Sequence, residues 1–231
     1  MMYILSIETA TSVCSVAVSE DDKVIYEQVN TEGPSHASLL GVFVQEALDF
    51  LKGKGIRLDA VAVSSGPGSY TGLRIGVSEA KGLCYGLGIP LIAVDTLKVM
   101  ATTVLSKGLV GTGDLLCPMI DARRMEVYAE IYDAQLEVVR PVAADIVDET
   151  SYGEFLSKGK VWFFGNGAFK CQDSLPSPNA GFLAGIYPTA AEMAKLAVEA
   201  YRNKAFADAA YYEPFYLKEF VATTPKNKVF S

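Results

Sequence analysis

At 231 residues, half of them hydrophobic, the chain can build one large core or two of about 100 residues each. Its formal net charge of −7, without Lys/Arg clusters, argues against an unaided grip on nucleic-acid phosphates. Cys14, Cys84, Cys117 and Cys171 are scattered without a Cys-x-x-Cys, so neither a disulfide framework nor a zinc site is indicated. Glu8 interrupts the N-terminal apolar run, no basic region precedes it, and no run reaches transmembrane length. The expectation is a soluble, cytoplasmic protein with no membrane partner.

Residues 3–7 read as a first strand, 13–18 as a second and 23–29 as a third, with turns at 8–12 and at Asp21-Asp22. A helix follows over 35–52. Its main stripe of Leu40, Val44, Ala47, Leu48 and Leu51 should face a sheet, while Leu39, Phe43 and Phe50 widen the apolar arc beyond one buried face. The β-branched run at 60–65 is a buried strand broken by Gly66-Pro67-Gly68, after which Ser69 or Thr71 can cap a helix over 71–86. Gly76 and Gly82 fall inside that helix, at about 1 kcal/mol each against Ala. Gly72, Gly76 and Ala80 form one small-residue stripe, and Ile75, Ser78, Gly82 and Gly86 a second. One stripe should meet the sheet and the other a neighbouring helix, in this chain or another. A strand at 90–94 closes a βββαβα unit with a mixed sheet.

The pattern then restarts, with strands at 115–121, 125–132 and 137–142, a short helix at 151–156 and a strand at 161–164. Gly165-Asn166-Gly167 echoes Gly66-Pro67-Gly68, and Ile120-Asp121-Ala122 echoes Ile7-Glu8-Thr9. The predicted organisation is α/β with two similar lobes, 1–108 and 109–231, joined near 106–113. A helix over 190–201 and a tail from 214 to 231 complete the second. A duplicated βββαβα unit with an acidic residue ending each first strand resembles the actin, hexokinase and sugar-kinase (ASKHA) superfamily.

In such a fold Glu8, Thr9, Thr11 and Asp121 would hold a nucleotide and its Mg²⁺; alternatively the two acids merely cap strand ends. Gly66, Gly68 and Ser69 admit either a phosphate contact or a tight structural turn. Gly72 is not followed by the Lys-Ser/Thr of a P-loop, and a dinucleotide fingerprint would need Gly at Thr71. His36 is the sole histidine, with no ligand or base at useful spacing, and reads as structural. Serine-nucleophile chemistry needs a base that the chain barely possesses, so Ser65 and Ser69 read as turn residues. Asp121-Ala122-Arg123-Arg124 forms either a polar cluster at the cleft or a solvated strand end.

Five segments resemble the TsaB (YeaZ) family, in order along the chain: residues 4–11, 66–76 (GPGSYTGLRIG), 120–128, 187–193 and 214–218. The resemblance implies a non-catalytic paralogue of TsaD that acts with TsaD and the ATPase TsaE in making threonylcarbamoyladenosine at position 37 of tRNA. TsaD carries Asn-His-x-x-Gly-His after the strand that follows its glycine turn, and the matching segment here is Asp95 to Met100. Thr96 and Met100 replace both metal-ligating histidines, and a hydroxyl with a thioether does not rebuild that site. The resemblance therefore implies no catalytic residues and no metal, with ATP/ADP and Mg²⁺ bound weakly or only within a complex. The two helices carry more apolar or small surface than one sheet can cover, so the partner surface is expected on Leu39, Phe43 and Phe50 of the first and Ile75, Ser78 and Gly82 of the second, shared by a homodimer in isolation. The alternatives are a small-molecule kinase or ATPase of the same superfamily and, behind it, a glycoprotease-type peptidase. From charge alone, filter binding at physiological salt should show weak tRNA binding by the isolated chain; tight binding would contradict this.

Overall fold

The computed structural model describes residues 1–33 and 36–218. The helix start expected at Ser35 and the tail beyond residue 218 lie outside the described residues. In the first lobe, β1 (Tyr3–Glu8), β2 (Cys14–Glu20) and β3 (Lys23–Asn30) are antiparallel. Helix α1 (His36–Gly53) then leads to β4 (Ala60–Gly66), parallel to β1. Helix α2 (Tyr70–Leu87) leads to β5 (Leu91–Asp95), parallel to β4, and the sheet order is β3-β2-β1-β4-β5.

The second lobe repeats this with β6 (Leu115–Asp121), β7 (Glu126–Tyr132) and β8 (Val138–Ile146), then a one-turn helix α4 (Gly153–Leu156), β9 (Val161–Phe164) and β10 (Ala180–Leu183). Its order, β8-β7-β6-β9-β10, matches the first strand for strand, and β6–β9 and β9–β10 are again parallel. Even the glycine turns correspond, since Gly66 and Gly165 share a left-handed φ of 104° and 99°. The α/β organisation of two similar lobes expected from the duplicated pattern is the organisation observed.

Two helices went unread in part or in whole. Helix α3 (Thr96–Ser106) is buried nearly all round, so it has no polar stripe to give it a period, and its threonines and valines mimic a strand or loop. Helix α5 (Ala194–Arg202) starts later than expected because residues 191–193 form a 3₁₀ turn. Both helices also reach across between the lobes, although Val99 of α3 stays in the first lobe's core. Leu97, Met100, Ala101 and Val104 of α3 pack on Leu116, Ile120 and Phe164 of the second sheet. Ala197 and Val198 of α5 pack on Ile4, Ala62, Ile92 and Val94 of the first. The expected boundary at 108/109 thus separates the sheets but not the layers: α5 and the segment after it return to the first lobe.

On the outer face of the first sheet, α1 and α2 bury Leu40, Val44, Ala47, Leu51, Val77, Ala80 and Cys84 against Leu5, Ile7, Val16, Val61 and Val63. Ser69 caps α2, its hydroxyl accepting from the Gly72 N–H at 3.3 Å. Close packing explains one glycine stripe of α2. A methyl at Gly72 or Gly76 would stand less than 3.0 Å from the Thr9 carbonyl oxygen or the Thr9 hydroxyl, whereas one at Gly82 would meet nothing within 4 Å. The two substitutions should therefore have opposite signs. Gly82→Ala should gain about 0.5–1 kcal/mol from helix propensity, and Gly72→Ala should lose about 1–3 kcal/mol through overpacking. Urea denaturation of both variants checks this.

Candidate functional site: the cleft between the lobes

The cleft has a volume of about 690 Å³. Three chain segments meet there: the β1–β2 turn (Ala10, Thr11, Ser12), the glycine turn and first turn of α2 (Gly68 to Gly72), and the β6–β7 turn (Asp121, Ala122, Arg123). Tyr216, Leu217 and Lys218 of the C-terminal segment form a further wall. Of the expected nucleotide contacts, Thr11, Gly68, Ser69 and Asp121 line the cleft; Glu8, Thr9 and Gly66 do not.

Each absence has a physical reason. Glu8 lies beneath the β1–β2 turn at 0 % exposure, with one carboxyl oxygen accepting from the Ala10 N–H at 2.6 Å. Its other oxygen has no hydrogen-bond partner among the described residues, and burial pushes its pKa up to about 7 against the pull of those hydrogen bonds. Thr9 donates its hydroxyl to the Gly72 carbonyl at 2.8 Å, and its N–H points to the Ser64 hydroxyl at 3.4 Å. The Ser69 N–H donates to the Ala10 carbonyl at 2.7 Å. The Ser69 N–H, which could otherwise face a phosphate, is thus used in joining the β1–β2 turn to the glycine turn. The Gly66 N–H is likewise used, donating to the Thr96 hydroxyl at 3.2 Å.

Asp121, the second acid, is ion-paired to Lys170, and its carboxylate also accepts from the Arg123 N–H at 3.0 Å. Glu8 and Asp121 therefore do not come together as two free carboxylates for a divalent cation. Arg123 and Arg124 occupy consecutive left-handed positions, φ 73° and 52°, so the turn at the cleft mouth displays two guanidinium groups at a conformational cost. His36 is buried against the cleft wall, with Nε2 3.1 Å from the Val13 carbonyl, which fits the structural reading. No cluster of three or more His, Cys, Asp or Glu poised for a metal occurs among the described residues.

The two halves of the expected partner surface separate. Leu39, Phe43 and Phe50 run along the flank of α1 turned toward β3, packed against the core, with Phe50 on the Tyr26 ring at 5.0 Å. Glu46 on the same flank accepts from Gln28 of β3 at 3.1 Å. Ile75 packs at the α1–α2 groove and shares the cleft lining with Ala37, while Ser78 and Gly82 lie exposed on the outward face of α2. Val42 of α1 and Tyr85 of α2 join that outward face at 49 % and 91 % exposure. Part of the wide apolar arc of α1 is thus covered within the chain, where Phe50 meets Tyr26 of β3.

Sequence reasoning missed a buried acidic cluster where the lobes meet. Asp95 at the end of β5 caps α3, accepting from the Lys98 N–H at 2.8 Å. Tyr132 of β7 donates to Glu130 at 2.6 Å, with its hydroxyl 3.5 Å from Asp95. Burial, with Glu130 adding repulsion, pushes the Asp95 pKa from 3.8 up to about 6, against the hydrogen bonds that lower it. The alternation Tyr128, Glu130, Tyr132 on one strand face was the available clue. Because the folded-state pKa is raised, the protonated acid favours the fold below about pH 4, and that contribution is lost as pH rises through about 6. Asp95→Asn keeps the cap and removes the charge. Its melting temperature should exceed the parent's at pH 7.5, by the equivalent of about 1–2 kcal/mol, and the gap should shrink at pH 4.5. Glu8 shifts in the same direction in both proteins and cancels from the comparison.

A family model described as TsaD, tRNA N6-adenosine threonylcarbamoyltransferase, matches residues 31–225. The tRNA threonylcarbamoyladenosine biosynthesis protein TsaB of Escherichia coli K12 is 30% identical over 241 residues, covering 96% of each chain. TsaB of Bacillus subtilis strain 168 is 34% identical over 144 residues, which span 62% of this chain and 61% of that one. The structure of YeaZ from Pseudomonas aeruginosa superposes with a TM-score of 0.79 over 94% of this chain and all of that one, at 24% identity, and so speaks to the fold.

Proposed function

The chain belongs to the TsaB (YeaZ) family of tRNA threonylcarbamoyladenosine biosynthesis proteins, and we propose that it serves there as a non-catalytic subunit that binds and activates a TsaD-type transferase. The observation that carries this reading is the fate of Thr96 and Met100, which stand where the transferase places its metal-binding histidines. Thr96 accepts from the Gly66 N–H, and Met100 is fully buried between α3 and the second sheet. Both positions hold the fold together and neither opens to the cleft. The kinase or ATPase alternative needs free carboxylates in the cleft, and Glu8 and Asp121 do not supply them.

The partner surface in this reading is the outward face of α1 and α2, around Val42, Ser78, Gly82 and Tyr85. Gly82 leaves room for a partner helix to approach closely, which offsets its cost in an isolated helix. A TsaD-type partner carries the paralogous helices, so the same face serves a homodimer that competes with the heterodimer. TsaE joins through this pair, and tRNA is held by the assembly's other subunits. Gly82→Arg adds bulk and charge where the chain itself has open space, so the protein should fold normally. Calorimetry with a TsaD-type partner should show binding weakened about ten-fold or more. Unchanged affinity would move the interface elsewhere, and steady ATP turnover by the pure chain would overturn the non-catalytic reading.

A further inference from the structure

The segment after α5 takes an unusual route. Ala207 donates to the Leu91 carbonyl at 2.9 Å and so covers the edge of the first sheet at β5. Lys81 of α2 then reaches over and donates to the carbonyls of Ala210 and Tyr212, at 3.2 and 3.0 Å. The Phe215 N–H donates to the Ser65 carbonyl at 2.7 Å, and the Phe215 carbonyl passes over Gly66, where a methyl would stand 2.6 Å away. Tyr216 lies against Tyr70 with ring centroids 4.8 Å apart. Beyond that the chain crosses the cleft, and Lys218 forms an ion pair with Glu126 of β7 in the second lobe.

The fastening is lopsided. On the first lobe it consists of backbone hydrogen bonds, a buried-edge bridge, a lysine clasp and an aromatic contact. Among the described residues, its tie to the second lobe is the ion pair of Lys218, whose side chain is 48 % exposed. Exposed pairs of this kind stabilise weakly and are screened by salt. We infer that residues 214–218 form a latch over the cleft, permanently rooted on the first lobe and released at its Lys218 end to admit whatever enters the cleft. The glycine at position 66 has its place in this device, because any side chain there would lift the latch from its seat. The inference does not depend on which ligand or partner uses the cleft.

Hydrogen–deuterium exchange on the full chain tests it with Lys218→Glu, Glu126→Lys and the charge-swapped double variant. Each single variant should speed exchange in the cleft-lining turns at 10–12 and 120–124 by about two- to five-fold. The swap should restore parental rates, while residues 205–213 stay protected throughout. Raising salt should move the parent toward the single variants. Parental rates in the single variants, or a swap that fails to restore them, would overturn the latch. A uniform rise across both lobes would overturn it equally, because the pair would then hold the fold and not the closure.

Discussion

Helix α2 lies so close to the backbone of Thr9 and Ala10 that no side chain fits between them, and much of the first lobe follows from that contact. Gly68, Gly72 and Gly76 are required there because each faces Thr9 or Ala10 at a distance a methyl would violate. The approach lets Thr9 bond the Gly72 carbonyl and lets Ala10 accept from Ser69, tying the β1–β2 turn to the glycine turn. Those bonds orient the cleft's floor and occupy the Ser69 N–H, a donor that a phosphate could have used. The same glycine-rich stretch that suggests an anion site in other folds acts here as an internal splice.

Electrostatics reinforce that picture. The chain carries a net charge of −7, yet it buries Glu8 beneath one turn and sets Asp95 and Glu130 around a single tyrosine hydroxyl. The surface acids nearest the cleft, Asp121 and Glu126, are matched by Lys170 and Lys218. Arg123 lines the cleft, and neither it nor the exposed Arg124 beside it makes an ion pair among the described residues; both are held in a turn that costs backbone energy. The cleft is thus less acidic than the overall composition suggests.

Much of this was legible in the residues. Alternating strands, the glycine turn and its echo at Gly165 placed both sheets correctly, because each of those elements has one buried face and so a readable period. Helix α3 was lost because it is buried on all sides, and β10 because a four-residue edge strand containing glycine owes its existence to pairing with β9. At the site, Thr11, Gly68, Ser69 and Asp121 line the cleft and Glu8 does not, since whether an acid at a strand end looks into a cleft or beneath a turn depends on the neighbouring loop. The same holds for α1: a wide apolar arc says how much surface wants cover, not what covers it, and Phe50 meets Tyr26 of its own chain.

The reach of helices across the lobes bears on how the chain emerges from the ribosome. When the first hundred residues have been made, the inner face of their sheet, with Ile4, Ala62, Ile92 and Val94, has Val99 of α3 but still lacks the rest of its cover, because α5 is encoded near the other end. Helix α3, already synthesised, has its own apolar surface aimed at a sheet that does not yet exist. Neither half can close its core alone, so completion is deferred until the last strand and helix are out. The two lobes look like independent repeats, but they mature as one cooperative unit.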